Sequence, residues 1–230
     1  MFASFKFASF KTAALAAAFT LSAAPAAAGI VYVEFEDLPT TSLASTTTAG
    51  PLTFSLFATG GDGPIGFDTN CGNPGVHACN GDTDLIPLTN PDSNGVAGKV
   101  LIIQEPGSAR PDDQASGGSL TLRYDLGPST VFFTGFSGID DTTFNAFGPD
   151  NSLIATLSMT NNSETGSVNF APVAINLGDT IRFTLTSSGG LDRLQFLTPA
   201  QQEPVPAPAA LGLLGLGFAA IGLRRRTRRD

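Results

Sequence analysis

At 230 residues the chain has room for one ordinary domain with targeting segments, and too little sequence for a second sizeable core. Its 42% of hydrophobic residues exclude a disordered polymer, while 26 Gly, 16 Pro and 18 Phe with no Trp describe short strands joined by many turns. The net charge of −8 hides an asymmetry: Lys6, Lys11 and five arginines lie at the ends, leaving Lys99, Arg110, Arg123, Arg182 and Arg193 against 19 acidic residues, a net −14 that repels phosphate backbones and attracts divalent cations, so no nucleic-acid partner is expected.

Residues 1–28 read as a secretory leader. Lys6 and Lys11 give a positive start, 13–21 an apolar stretch too short to span a bilayer, and Ala26, Ala27 and Ala28 a small-residue site for signal peptidase, with cleavage between Ala28 and Gly29. The alternative is an N-terminal helix that is never cut.

Residues 29–198 form the expected domain. Short apolar or alternating runs closed by Gly, Pro, Asn or Asp occur at 30–35, 52–57, 100–104, 119–124, 130–136, 153–158, 166–170, 180–186 and 191–197. The 180–186 run places Ile181, Phe183 and Leu185 on one face and Arg182, Thr184 and Thr186 on the other, which is a strand with one buried side. No sustained helical period interrupts these runs, and so many strands protect their edges by closing into two packed sheets. The expected fold is all-β, a jelly-roll-like β-sandwich, with long loops at 59–98 and 104–118.

Within the first loop Cys71 and Cys79 flank a Gly- and Pro-containing turn, and in an oxidising compartment a local disulfide is the expectation. A zinc site using His77 as third ligand is the competing reading, but no fourth ligand is apparent. Acidic residues recur as Glu34, Glu36 and Asp37; Asp82 and Asp84; Asp112 and Asp113; Asp140 and Asp141; and Asp192. Calcium wants six to eight oxygens, which acidic, Asn-rich turns supply. Glu36, Asp37, Asp82, Asp84 and Asp192 are the candidate ligands, with Glu36 or Asp37 joined to Asp192 so that a structural ion links the first strand to the last, as in many sugar-binding sandwiches. The bland alternative is that these residues start turns and keep the surface soluble.

A Pro-rich linker with a sorting motif occupies 199–208, and a hydrophobic helix with an Arg-rich tail is expected at 209–230. Pro204, Pro206 and Pro208 hold the linker extended, so that it fits a processing enzyme's cleft. The uncharged run 209–223 is slightly short for a span, which snorkelling arginines extend. Arg224, Arg225, Arg226, Arg228 and Arg229 hold that end on the cytoplasmic side, so the helix inserts transiently in the inner membrane with the domain outside.

The motif Val205-Pro206-Ala207-Pro208, the apolar run and the terminal basic cluster together resemble the PEP-CTERM sorting signal, with Ala207 where the commonest motif has Glu. The resemblance implies recognition by an exosortase, a membrane-embedded cysteine transpeptidase, removal of the tail, and secretion or surface display by a Gram-negative bacterium that makes exopolysaccharide or biofilm. An ordinary membrane anchor that is never cut is the alternative. The domain itself is similar to exported bacterial sandwiches found ahead of such tails, through Phe35-Glu-Asp-Leu-Pro39, Gly81-Asp-Thr-Asp-Leu85, Lys99-Val-Leu-Ile-Ile-Gln-Glu105, Arg110-Pro-Asp-Asp113, Phe136-Ser-Gly-Ile-Asp-Asp141 and Leu191-Asp-Arg-Leu-Gln-Phe196.

No catalytic residue is assigned. His77 is the one His, no Gly-x-Ser-x-Gly elbow accompanies it, and Tyr32 and Tyr124 are few aromatic groups with which to seat sugar rings for hydrolysis. The expected function is a non-enzymatic binding or structural module of the exopolysaccharide matrix. A carbohydrate-binding lectin and a secreted glycan hydrolase are the alternatives.

Overall fold

The computed structural model describes residues 28–71, 83–87 and 98–199. Twelve strands lie among them: β1 (Gly29–Val33), β2 (Thr46–Ala49), β3 (Leu52–Thr59), β4 (Gly63–Asp68), β5 (Lys99–Gln104), β6 (Gly118–Leu126), β7 (Thr130–Ile139), β8 (Thr143–Phe147), β9 (Leu153–Ser158), β10 (Thr165–Asn176), β11 (Thr180–Leu185) and β12 (Gly190–Thr198). One 3-10 turn, Thr83–Leu85, separates β4 from β5. The strands build two antiparallel sheets, one in the order β10-β7-β12-β5-β4 with β1 also on β12, the other β2-β3-β6-β11-β8-β9. From β5 onward the chain crosses between the sheets at every connection except β8 to β9, which makes the sandwich jelly-roll-like.

The two inner faces supply one core. Phe133, Phe136, Leu194 and Phe196 of the first sheet meet Phe54, Leu122, Tyr124, Phe144 and Phe183 of the second. Aromatic rings carry the contact across the gap, with Phe54 and Phe196 at 5.2 Å and Phe136 edge-on to Phe183 at 5.1 Å. This geometry suits the quadrupoles of the rings and accounts for a Phe-rich chain without Trp. In β11, Ile181, Phe183 and Leu185 are all buried, as the alternation requires.

β5 obeys a different rule. Its run Val100-Leu-Ile-Ile103 is buried on both faces, Leu101 and Ile103 in the main core and Val100 and Ile102 in a second cluster with Ile65, Phe67, Cys71, Leu85 and Ile139. A continuous apolar run is what a doubly covered strand needs. The outer cover comes from the segment after β4, through Cys71 and Leu85.

The expected loop at 59–98 therefore contains a strand. β4 pairs residue for residue with β5, from Gly63 opposite Gln104 to Asp68 opposite Lys99. Its sequence Gly-Pro-Ile-Gly-Phe-Asp reads as a turn, yet Pro64 is tolerated because β4 is an edge strand. Gly66 is required because Leu38 packs on it: a Cβ there would lie 2.8 Å from the Leu38 Cβ. β2 and β8 also escape the sequence reading, and β10 runs past Phe170 to Asn176 through a register shift between Asn169 and Val173.

Candidate functional site

The carboxylates named from the sequence reach different places. β1 and β12 are joined directly by five antiparallel register pairs, from Gly29 with Thr198 to Val33 with Leu194. Just beyond β1, Asp37 accepts from Thr47 Oγ1 at 2.8 Å and from Thr48 N at 2.9 Å, which clamps the turn to β2. Glu36 Oε1 accepts from Lys99 N at 3.0 Å, and Gly98, at φ +70°, leaves the space that this carboxylate fills. Lys99 Nζ in turn donates to the carbonyls of Glu36 and Leu38 at 3.0 and 2.8 Å, so this stretch is stitched onto the edge of the first sheet. Asp192 is buried in β12 opposite Ser137, where it accepts from Arg193 N at 2.7 Å. A register shift follows it, and Arg193, at φ 45°, lies over the Tyr32 ring at 4.6 Å.

Asp84 is carried elsewhere, to the outer side of the first sheet. Leu85 packs in the outer cluster with Ile139, which brings Asp84 beside Asp140, the residue after β7. Asp140 is wholly buried, and its Oδ2 accepts from Ser188 Oγ at 2.6 Å. The Oδ1 atoms of Asp84 and Asp140 are both buried without a hydrogen-bond partner. Burial, followed by the field of Asp140, raises the Asp84 carboxyl above its ordinary value; exposed Asp141 adds to the rise, and the backbone N–H groups of Asp84 and Leu85 oppose it. Asp140 was visible in the sequence as half of an acidic pair, but its proximity to Asp84 arises only from the fold. Among the described residues no group of three or more His, Cys, Asp or Glu is placed to hold a metal.

A cleft of about 410 Å³ opens at the edge of the first sheet, between the segment after β1 and the loop after β5. Thr40, Thr41, Ser42 and Ser108 line it with hydroxyls, Asp62 and Arg110 with charge, and Leu43 and Ile65 with apolar surface. Gln104, 3% exposed, fixes its wall: Nε2 donates to the carbonyl of Arg110 at 2.8 Å and of Ser108 at 3.3 Å, while Oε1 accepts from Asp112 N at 3.4 Å. Asp62 Oδ2 accepts from Gly107 N at 3.0 Å and ties that loop to the start of β4. The other basic side chains of the domain are engaged: Lys99 on backbone carbonyls, Arg123 with Asp125 at 2.7 Å, Arg182 over Phe147 at 4.3 Å, and Arg193 over Tyr32. Among the described residues nothing pairs with the exposed Arg110 guanidinium. The sequence marks Arg110 as one of five basic residues of the domain and as part of a short signpost, but gives no sign of Thr40 to Ser42, because hydroxyl residues in a turn carry no pattern of their own.

Cys71 is buried in the outer cluster, while Cys79, His77 and Asp82 lie outside the described residues. So do the leader up to residue 27, the linker motif at Val205 to Pro208 and the terminal arginines. Residues 204–226 match the PEP-CTERM protein-sorting motif. The chain thus carries an exosortase-recognised sorting signal behind an all-β domain, and the motif implies export through the inner membrane to the cell surface or the extracellular space. No curated protein matches the chain.

Proposed function

We propose that this chain, exported and trimmed by an exosortase, serves in the extracellular matrix of a Gram-negative, exopolysaccharide-making bacterium as a non-enzymatic glycan-binding module. The observation that carries the reading is the cleft at the sheet edge, whose hydroxyls and unpaired Arg110 offer both donors and acceptors to a polyhydroxylated ligand. Its wall is already fixed by Gln104, so little ordering cost falls on binding. Hydrolysis is disfavoured, because Asp62 is the one carboxylate among the lining residues and glycoside cleavage uses a pair.

Three processing steps belong to this reading. Signal peptidase cuts between Ala28 and Gly29, which is supported by β1 starting at Gly29. A Cys71–Cys79 disulfide closes the loop after β4, supported by the lack of a free cysteine among the described residues. The tail is inserted in the inner membrane through 209–223 and cut near Pro204 to Pro208, supported by the motif match.

Isothermal titration of the exported protein with exopolysaccharide purified from its own host tests the binding. Heat of binding that Arg110→Ala and Asp62→Asn each weaken about tenfold is expected, the effect of losing roughly 1.4 kcal/mol of polar contact. Absence of binding to the host polysaccharide, or binding that neither substitution changes, overturns the assignment of the cleft.

A further inference from the structure

We propose that Asp84 and Asp140 form the carboxylate half of a calcium site on the outer side of the first sheet, where Leu85 joins Val100 and Ile102 of β5 and Ile139 of β7 in the outer cluster. Each residue places a buried Oδ1 that no donor reaches, and Asp140 is fully buried with only its Oδ2 satisfied, by Ser188. A buried carboxylate oxygen without a donor is costly, and two of them side by side add mutual repulsion; a cation removes both penalties at once. The surrounding domain, five basic residues against 18 acidic ones, concentrates cations rather than anions.

The donor set selects the ion. Two carboxylates are fewer than the three-residue cluster that a zinc site built from side chains needs, and no such cluster exists among the described residues. Calcium accepts backbone carbonyls and waters in the remaining positions and tolerates irregular geometry, whereas magnesium demands a tight octahedron and releases its waters reluctantly. The mechanical consequence is local. An ion shared by Asp84 and Asp140 ties the stretch 83–87 to the end of β7, where the neighbouring residues Leu85 and Ile139 already belong to one apolar cluster.

The test is thermal unfolding of the purified full chain in EDTA, in calcium chloride and in magnesium chloride, for the wild type, Asp84→Asn and Asp140→Asn. Asn keeps the shape and tolerates the left-handed backbone at residue 140, φ 88°, so both variants should fold. Calcium at a hundredfold excess over its dissociation constant should raise the wild-type melting temperature by roughly 5–10 °C. Neither variant should respond, and in EDTA both should melt at or above the wild-type temperature, because each removes one repelling charge. A wild-type shift no larger in calcium than in magnesium overturns the proposal, and so does a full calcium response kept by either variant. Should Asp140→Asn fail to fold, Asp84→Asn alone decides.

Discussion

The Asp84 carboxyl holds its proton more tightly in the folded protein than in the unfolded chain, because burial and then Asp140 oppose its ionised form, with a smaller push from Asp141. Folding therefore takes up a proton between the ordinary value of 3.8 and the raised folded value, and stability falls as pH rises through that window, with the full penalty present above it. In calcium-free buffer, urea unfolding across a pH series should show the wild type losing stability relative to Asp84→Asn as pH climbs from 3.8 toward neutrality. Parallel curves for the two proteins would contradict this, and calcium should flatten the wild-type fall. Such coupling was hidden in the sequence: Asp84 and Asp140 are both written there as members of acidic pairs, but nothing in their spacing sets one beside the other. Glu36 and Asp37 show the converse, since their pattern suggested metal ligands and the fold gives them Lys99 N and the Thr47–Thr48 pair as partners.

Element by element, legibility follows how the faces are buried. β11 alternates because one side packs on the core, and β5 is continuous because both sides do, so each announces itself. β4 and β2 are quiet, the first because Gly66 must make way for Leu38 and Pro64 sits on an edge, the second because Thr-Thr-Thr-Ala has little apolar contrast. β4 also carries Cys71 just beyond its end, into the cluster formed by Phe67, Leu85 and Val100. A disulfide to Cys79 would close a short loop there and contribute about 2–3 kcal/mol by restricting the unfolded chain. Cys71→Ser should accordingly lower the stability of the exported protein by about that amount under non-reducing conditions while leaving the sandwich assembled. The measurement is urea unfolding of wild type and variant with and without reductant: the two should converge once the wild type is reduced, and a gap that reductant leaves untouched would mean that packing of Cys71, not a bond, accounts for the loss.

At the scale of the whole molecule the charge is divided by purpose. The domain is acidic, which suits a protein that must stay soluble outside the cell, and nearly all its basic groups are committed to local contacts, while the five terminal arginines form a separate cationic block behind an apolar run. In the proposed reading the five arginines resist translocation and hold their end inside as the domain passes out, with the Pro-rich stretch at 204–208 between the two. The sorting motif was legible in the sequence because it depends on order and composition along the chain, not on contacts made across a fold. It also fixes the expected products. In a host with its exosortase, mass spectrometry of the released protein should find a chain that starts at Gly29 and ends near the Pro-rich motif, without Arg224 to Arg229. Replacing Arg224, Arg225, Arg226, Arg228 and Arg229 with Ser should abolish retention of the tail at the inner membrane and leave unprocessed protein. Release of a normally trimmed product from that variant would show that the apolar run and the Pro-rich motif suffice, and recovery of the wild-type protein with its arginines intact would mean that the tail is an anchor rather than a signal for cutting.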